Sequence, residues 1–409
     1  MAVAPGTDLK DIVGDAHVRA SGEADRFAVD GVAPGLIVSP GCYQEAADVL
    51  RHAETHRLAV IPYGGGAMMH LGNTPTGYGI ALDLSRLDAI VEFEPADLTV
   101  TCEGGITLEA LQSRLATAGQ TLPSGPFADR RSTIGGILAA NQVGAYVHRH
   151  GKPRDLTIGM RVATAGGRLT RAGGRVVKNV AGYDLCKLYI GSLGTLGVIV
   201  EATFKVAPLP ASERRCTLSM PGARQACSLA FEAERAGVAA QAIELSIDAD
   251  GCFLTIDLAG SRHAVERSER EIAALGRRHS GRATESSLPP DSRDDASLIC
   301  RLGVLPTRVP AAIDLLSTME PPPRVVAWPT AGIIFACWDS AVDEPAAIER
   351  LGQGLADGET LVVERCGLAT KQQIDVFGDP PPSFPLMRRI KEQFDPNGIL
   401  SPGRFVGRL

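Results

Sequence analysis

Glycine placement constrains this chain more than any other feature. The 409 residues contain 45 glycines, and they crowd the first half as Gly64-Gly65-Gly66, Gly104-Gly105, Gly135-Gly136, Gly166-Gly167, Gly173-Gly174 and the run from Gly191 to Gly197. Glycine admits positive φ and lets a second molecule approach the backbone. Pairs of this kind set between short apolar runs predict a first half built around a bound ligand. There is no three-residue period, so a collagen-like chain is excluded.

Between the glycines the apolar pattern alternates strand and helix. Gly35 to Val38 reads as a strand, Tyr43 to His56 as an amphipathic helix, and Leu58 to Ile61 as a second strand stopped by Pro62. Ile80 to Leu82, Ile90 to Phe93 and Leu98 to Cys102 read as strands. Thr107 to Ala118 reads as a helix capped by Thr107 and stopped by Gly119. Ile158 to Ala163, Leu169 to Thr170 and Val198 to Val206 follow as strands, and Pro208 and Pro210 close this half. Beyond it, helical stretches (Ala223 to Ala236, His263 to Arg278, Glu344 to Leu355) alternate with strands (Ala242 to Ile247, Phe253 to Leu258, Gly332 to Trp338, Leu361 to Glu364). That alternation predicts an α+β domain with a sheet covered on one side. Residues 280–298 read as a loop, and Leu386 to Phe394 as a terminal helix followed by a turn at Asp395 to Gly398.

Composition removes several classes of function. A net charge of −6, without long single-sign runs, gives no basic stripe for nucleic acid. No apolar run approaches the ~18–20 residues needed to cross a bilayer, and the first residues lack the pattern of a secretion signal. Nine scattered cysteines form no CxxC pair, which predicts reduced, mostly buried thiols and no metal-ligand spacing.

Three segments carry the chemistry. Val60 to Met68 is a strand, a proline and three glycines, a form suited to a backbone anion nest. No Lys-Ser/Thr follows, and no G-x-G-x-x-G opens a helix, so neither a Walker loop nor a Rossmann turn is supported. The second runs Pro123-Ser124-Gly125-Pro126, then Ser132 to Gly144, a small-residue stretch with polar atoms at Thr133 and Asn141. The third is Lys178 to Leu185, then Gly191 to Ile199. Each alone is compatible with a structural turn or a tightly packed helix.

In this order the segments resemble the vanillyl-alcohol-oxidase/para-cresol-methylhydroxylase (PCMH/VAO) flavoproteins. The family patterns P-x-G-G-G, T-I-G-G-x-x-A-x-N-x-x-G, G-Y-D-L and G-S-x-G-T-L-G occur in register, and Phe394 to Arg404 is similar to the family's C-terminal F-D-P-x-x-I-L-N-P-G-K/R. Within the family the likeness is to the smaller FAD-binding subunits of bacterial glycolate oxidases. The resemblance implies an α+β fold: a PCMH/VAO-type FAD-binding domain of two α/β subdomains (1–210), an α+β cap (211–379) and a tail (380–409) returning to the first domain. It implies FAD wrapped by Pro62, Tyr63, Gly64, Gly65, Gly66, Ala67 and Met68, flanked by Pro126, Thr133, Ile134, Gly135, Gly136, Asn141 and Gly144, and held at its adenine end by Gly194, Gly197, Val198 and Ile199. Ala67 and Met68 stand where family members carry Ser or Thr.

The resemblance also places what is missing. Catalytic relatives have a metal-binding H-x-G-D-G-N-x-H segment in the cap; the matching stretch is Thr330 to Ala336, without histidine or acid. Their E-H-G-I-G corresponds to Arg365 to Ala369, with Cys366 at the histidine. Neither catalytic nor metal-binding residues are therefore assigned. The implied protein is a non-covalent FAD subunit working beside a homologous FAD-containing catalytic subunit and an iron–sulfur subunit on a small 2-hydroxy acid. The implied location is the cytoplasm, at the membrane face only through partners. Two rivals stand: a self-sufficient FAD oxidoreductase, and an assembly subunit with an empty cradle. His70 lies four residues beyond the third glycine, which argues against a covalent flavin, and His148 to His150 reads as a solvated basic loop.

Overall fold

The computed structural model describes residues 7–20, 24–125, 129–174, 183–284, 293, 296–339 and 342–409. Its first layer is a four-stranded sheet of β1 (Val18–Ala20), β2 (Leu36–Val38), β3 (Val60–Tyr63) and β4 (Ile80–Asp83), in the order β1-β2-β4-β3. Between β2 and β3 runs α1 (Tyr43–His56), whose Ala46, Ala47, Val49, Leu50 and Ala53 are buried against that sheet. The strand β3 does not stop at Pro62 but continues to Tyr63. A proline costs no ladder bond where its side of the strand is unpaired, and β3 is the last strand of its sheet.

The second layer is an antiparallel sheet of β5 (Ile90–Glu94), β6 (Thr99–Glu103), β7 (Thr157–Ala163), β8 (Leu169–Gly173) and β9 (Val198–Lys205), ordered β5-β6-β9-β7-β8. Two helices lie on it. The Thr107 hydroxyl caps α2 (Leu108–Ala116) by accepting from the Ala110 amide, as the sequence predicts. The second helix, α3 (Ile134–Ala140), is made by the small-residue stretch: Thr133 caps its start and Asn141, at φ +47°, ends it.

The cap is an eight-stranded antiparallel sheet. Its strands are β10 (Ser212–Ser219), β11 (Ala240–Asp248), β12 (Gly251–Gly260), β13 (Arg282–Thr284), β14 (Leu298–Gly303), β15 (Arg324–Trp328), β16 (Ile333–Trp338) and β17 (Thr360–Arg365). They are ordered β13-β10-β12-β11-β15-β16-β14-β17. The helices Ala223–Arg235, Arg262–Arg278, Val309–Ser317 and Glu344–Gly354 pack on one face around Leu245, Leu254, Ile256, Ile334 and Ala336. The opposite face is not open at its centre. Ile299, Trp328, Ile333 and Phe335 meet Val143, Ala145 and Val147 of the first half. Burial on both sides explains why β16 is apolar at every position rather than at alternate ones.

The tail crosses back. The helix Phe384–Phe394 delivers Ile399 and Leu400 into the core of the first sheet. There the Val60 amide donates to Ile399 O and the Ser401 amide to Val60 O, at 2.7 and 2.8 Å.

Candidate functional site

The first two glycine segments meet. At the end of β3 the Tyr63 side chain turns away, its hydroxyl donating to Arg26 O at 2.9 Å and its ring 4.6 Å from Phe27. The three glycines then lie directly against residues 131–133. A Cβ on Gly64 would fall 2.2 Å from Thr133 Oγ1, and one on Gly65 only 1.6 Å from Arg131 O. Gly66 follows with φ +79°, so the loop needs glycine for approach at two positions and for conformation at the third.

Where the segments part they bound a cleft. Its walls are glycine backbone and small side chains, among them Gly64 to Ala67, Gly136, Ala139 and Ala140. Ser132 Oγ and Gln142 Oε1 lie at this cleft, buried and without a hydrogen-bond partner; Asn141 Oδ1, beside them, is the same. Buried polar atoms left unpaired cost roughly 1–3 kcal/mol each. A polar, flat ligand lying on this floor would satisfy them.

Pro62, Gly64, Gly65, Gly66, Ala67, Met68, Thr133 and Gly136 line the cleft, and Asn141 lines the cavity next to it. Other expected contacts are packed inside protein. A Cβ on Gly135 would meet Gly104 O at 2.9 Å, one on Gly144 Gly125 C at 2.6 Å, and one on Gly197 Val162 Cγ1 at 2.5 Å. Gly194 packs on the Pro62 ring, and the Ile134 side chain is buried in the second core. Val198 and Ile199 pair through β7 with Ala163 and Val162, while the ladder from β9 to β6 begins only at Glu201. Pro126, and Lys178 to Gly182 of the third segment, lie outside the described residues.

The loop beyond the glycines is clamped from three parts of the chain. The buried Arg404 guanidinium donates to Met69 O at 3.0 Å and also to Leu71 O. Lys371 Nζ donates to His70 O at 2.6 Å and to Asp30 Oδ1 at 2.9 Å. Asn73, fully buried, donates to Asp375 Oδ1 and Phe405 O and accepts from the Val376 amide. N-terminal segment, cap and tail thus hold residues 69–73 together.

Above the cleft, under the cap sheet, is a second cavity sharing Ala67, Met68, Ala140 and Gln142 with it. Arg293, Arg301, Glu364, Arg365, His70 and Phe335 are among its walls. Arg301 Nε donates to Glu364 Oε1 at 2.5 Å, and the Arg293 guanidinium lies 4.7 Å over the Phe335 ring. Burial, reinforced by the Arg365, Lys371 and Arg404 charges, lowers the His70 pKa to about 4, so its imidazole is neutral at pH 7.

The family model described as FAD binding domain matches residues 34–173, and that described as FAD linked oxidases, C-terminal domain, matches residues 378–405. Glycolate oxidase subunit GlcE of Escherichia coli (strain K12) is 30% identical over 374 residues, which cover 90% of this chain and 98% of that protein. The chain belongs to this family of FAD-binding flavoproteins. FAD is its cofactor, and the family is one of FAD-dependent oxidoreductases. Glycolate oxidase subunit GlcD of Bacillus subtilis (strain 168) is 33% identical over 182 residues, 44% of this chain and 38% of that protein. The chain therefore spans less than half the length of that relative. A crystal structure of p-cresol methylhydroxylase with substrate bound superposes with a TM-score of 0.75 at 15% identity, covering 98% of this chain and 96% of that one, and shares the fold.

Several walls of the candidate site were not legible as site residues. Arg301 sits in β14, a strand the sequence reading did not assign; a lone guanidinium in Leu-Ile-Cys-Arg-Leu was the available signal. Arg365 enters through an irregularity. Ile299 pairs with Arg365 and Cys300 with Val363, so Glu364 is an extra residue, and the bulge turns both Glu364 and Arg365 to the cavity while Val363 keeps to the core. His148 to His150 is not a solvated loop. It is the short helix Val147–His150, half-buried between the halves, with His148 Nδ1 2.8 Å from Thr330 Oγ1 and Arg149 Nη1 donating to Ala259 O at 2.6 Å. Thr330 to Ala336 forms the turn into β16, and among the described residues no group of three His, Cys, Asp or Glu is placed to hold a metal. Cys366 is half-buried, its thiol pushed up to about 11 by burial. No helix among the described residues is long and apolar enough to cross a membrane.

Proposed function

We propose that this chain is the FAD-binding subunit of a complex that oxidises glycolate, a 2-hydroxy acid, to glyoxylate, working beside a homologous FAD-containing catalytic subunit and an iron–sulfur subunit. The observation that carries this reading is the two-way coverage with GlcE, nearly the whole of each chain, together with the cleft beneath the cap. FAD supplies a two-electron acceptor that can pass electrons on singly. Around it, the backbone from Pro62 to Met68 and the turn Thr133 to Gly136 would hold the cofactor without a covalent bond, and Ser132, Asn141 and Gln142 would satisfy its polar edge. Gly194, Gly197, Val198 and Ile199 would act at the adenine end only through backbone, since their side-chain directions face protein.

A second reading, that the lone chain oxidises a hydroxy acid itself, draws on His70, a neutral imidazole facing the cavity. With a pKa near 4 it is a poor proton acceptor at pH 7, when an efficient base has a pKa near the working pH. Anaerobic bleaching of the flavin by glycolate separates the readings. The subunit reading expects bleaching only after the partner subunits are added. Rapid bleaching of the lone chain, lost in His70→Gln, would establish the second.

A further inference from the structure

The glycine loop offers an anion its backbone and little else. Ala67 and Met68, which follow the glycines, carry no hydroxyl, and the one cationic side chain among the described walls of the cleft is Arg404. That guanidinium is spent on Met69 O, Leu71 O and Asn73 O, 3.8 Å from Asp30. The arginines of the adjoining cavity stand on the cap and are engaged there. A second source of charge lies in the segment against the loop. A Cβ on Gly65 would strike the Arg131 carbonyl and stand 2.9 Å from the Arg131 Cβ. The Arg131 guanidinium reaches back to Asp129, with Nη2 donating to Oδ2 at 2.6 Å and Nε to Oδ1 at 3.0 Å, and among the described residues Asp129 is its one hydrogen-bond partner. Both charges act on the Tyr63 hydroxyl, which packs on Gly66, so the pair stands beside the last glycine. The other cation acting there, Arg26, lies over the Phe27 ring at 5.7 Å, and Arg130 pairs with Glu109. Asp129 shares a wall with Ala67 and Met68, and residues 126–128, Pro-Phe-Ala, add no ionisable group to this corner. A carboxylate here repels a bound diphosphate unless a cation stands with it.

We propose that Arg131 binds the diphosphate of FAD, exchanging its hold on Asp129 for phosphate oxygens, and that Asp129 tunes the affinity down by competing for the same guanidinium. The inference rests on reading the cleft as the FAD site and names the side chain that supplies its charge. The Arg131 side chain is 67% exposed. Exposed ion pairs are weak, so turning the guanidinium from one acceptor to another costs little. Arginine meets phosphate through two parallel N–H donors, the geometry it already shows toward the Asp129 carboxylate. Its contribution then depends on the phosphates and not on the flavin ring, and it is screened by salt because the group is open to solvent.

The test is fluorescence titration of the flavin-free full chain with FAD and with riboflavin, which has the ring but no phosphate, at low and high salt. Arg131→Gln should weaken FAD about tenfold or more, flatten the salt dependence and leave riboflavin unchanged. Arg131→Lys should recover part of the loss. Asp129→Asn keeps an oxygen to accept from Arg131 but removes the competing charge; it should tighten FAD several-fold, a gain that misfolding cannot imitate. Unchanged FAD affinity in Arg131→Gln, an equal loss for FAD and riboflavin, or weaker FAD binding in Asp129→Asn would overturn the proposal. Wild-type binding of neither flavin would instead sink the cofactor reading. Titration with inorganic diphosphate then decides on Arg131 by itself: binding that Arg131→Gln abolishes keeps the anion site, and no binding ends it.

Discussion

At Gly65 a single methyl group is enough to test the cradle, but two glycines must be compared to read the result. The Gly65→Ala methyl would collide with Arg131 O inside the protein, so overpacking should cost about 1–3 kcal/mol and lower the urea midpoint along with flavin content. The Gly136→Ala methyl meets only Thr133 Oγ1, at 3.1 Å, on a helix where alanine is favoured by about 1 kcal/mol. Gly136→Ala should keep the urea midpoint or raise it, and hold flavin at least tenfold less tightly. His70 gives a second test at this scale. Its pKa of about 4 lies below the usual 6.5, so the unfolded chain takes up the proton first as pH falls. Stability should drop between pH 6.5 and 4, by about 3 kcal/mol from this group, and His70→Gln should flatten that part of the curve. The glycines were legible because steric need leaves a direct mark in sequence. That His70 would be buried beside Arg365 and Lys371 was not, because those charges are some three hundred residues away.

Elements carried a different kind of information. The helix Tyr43–His56 was readable to the residue because its apolar stripe faces one sheet and polar residues face water. The strand Leu298–Gly303 was missed. Its Leu298, Cys300 and Leu302 point into the cap core while Ile299 and Arg301 face the cavity, so both sides are covered and the alternation of a half-exposed strand is absent. The bulge at Glu364 is less legible still, since it is a property of pairing between two strands and not of either alone. The loop after the glycines owes its shape to other elements. Arg404→Met would leave Met69 O and Leu71 O without their donor and remove a charge beside Asp30. We expect a loss of about 3–5 kcal/mol by urea denaturation, with hydrogen exchange rising first at residues 69–73 and flavin released on dilution.

For the whole molecule, the tail is what joins the parts. Lys391 Nζ, buried, donates to Thr195 O, Leu400 O and Asp395 Oδ2, while the Asp395 carboxylate accepts from the Ile399 and Leu400 amides. Lys391→Met would strand a fully buried carboxylate and should cost about 3–5 kcal/mol in the urea midpoint. Burial pushes the lysine's own pKa down, with Asp395 opposing, so the folded chain gives up this proton before the unfolded chain does, and this group's contribution to stability should rise as pH climbs toward the ordinary lysine range. The same arrangement has a consequence for how the chain comes into being. Domains of a growing chain generally fold in the order they are made. Here the first sheet takes Ile399 and Leu400 into its core, and Val60, the residue that leads into the glycine loop, bonds to both sides of them. The first sheet cannot be finished until residues 399–404 have emerged from the ribosome, so a nascent chain should be unable to retain flavin, however long it waits with that sheet exposed.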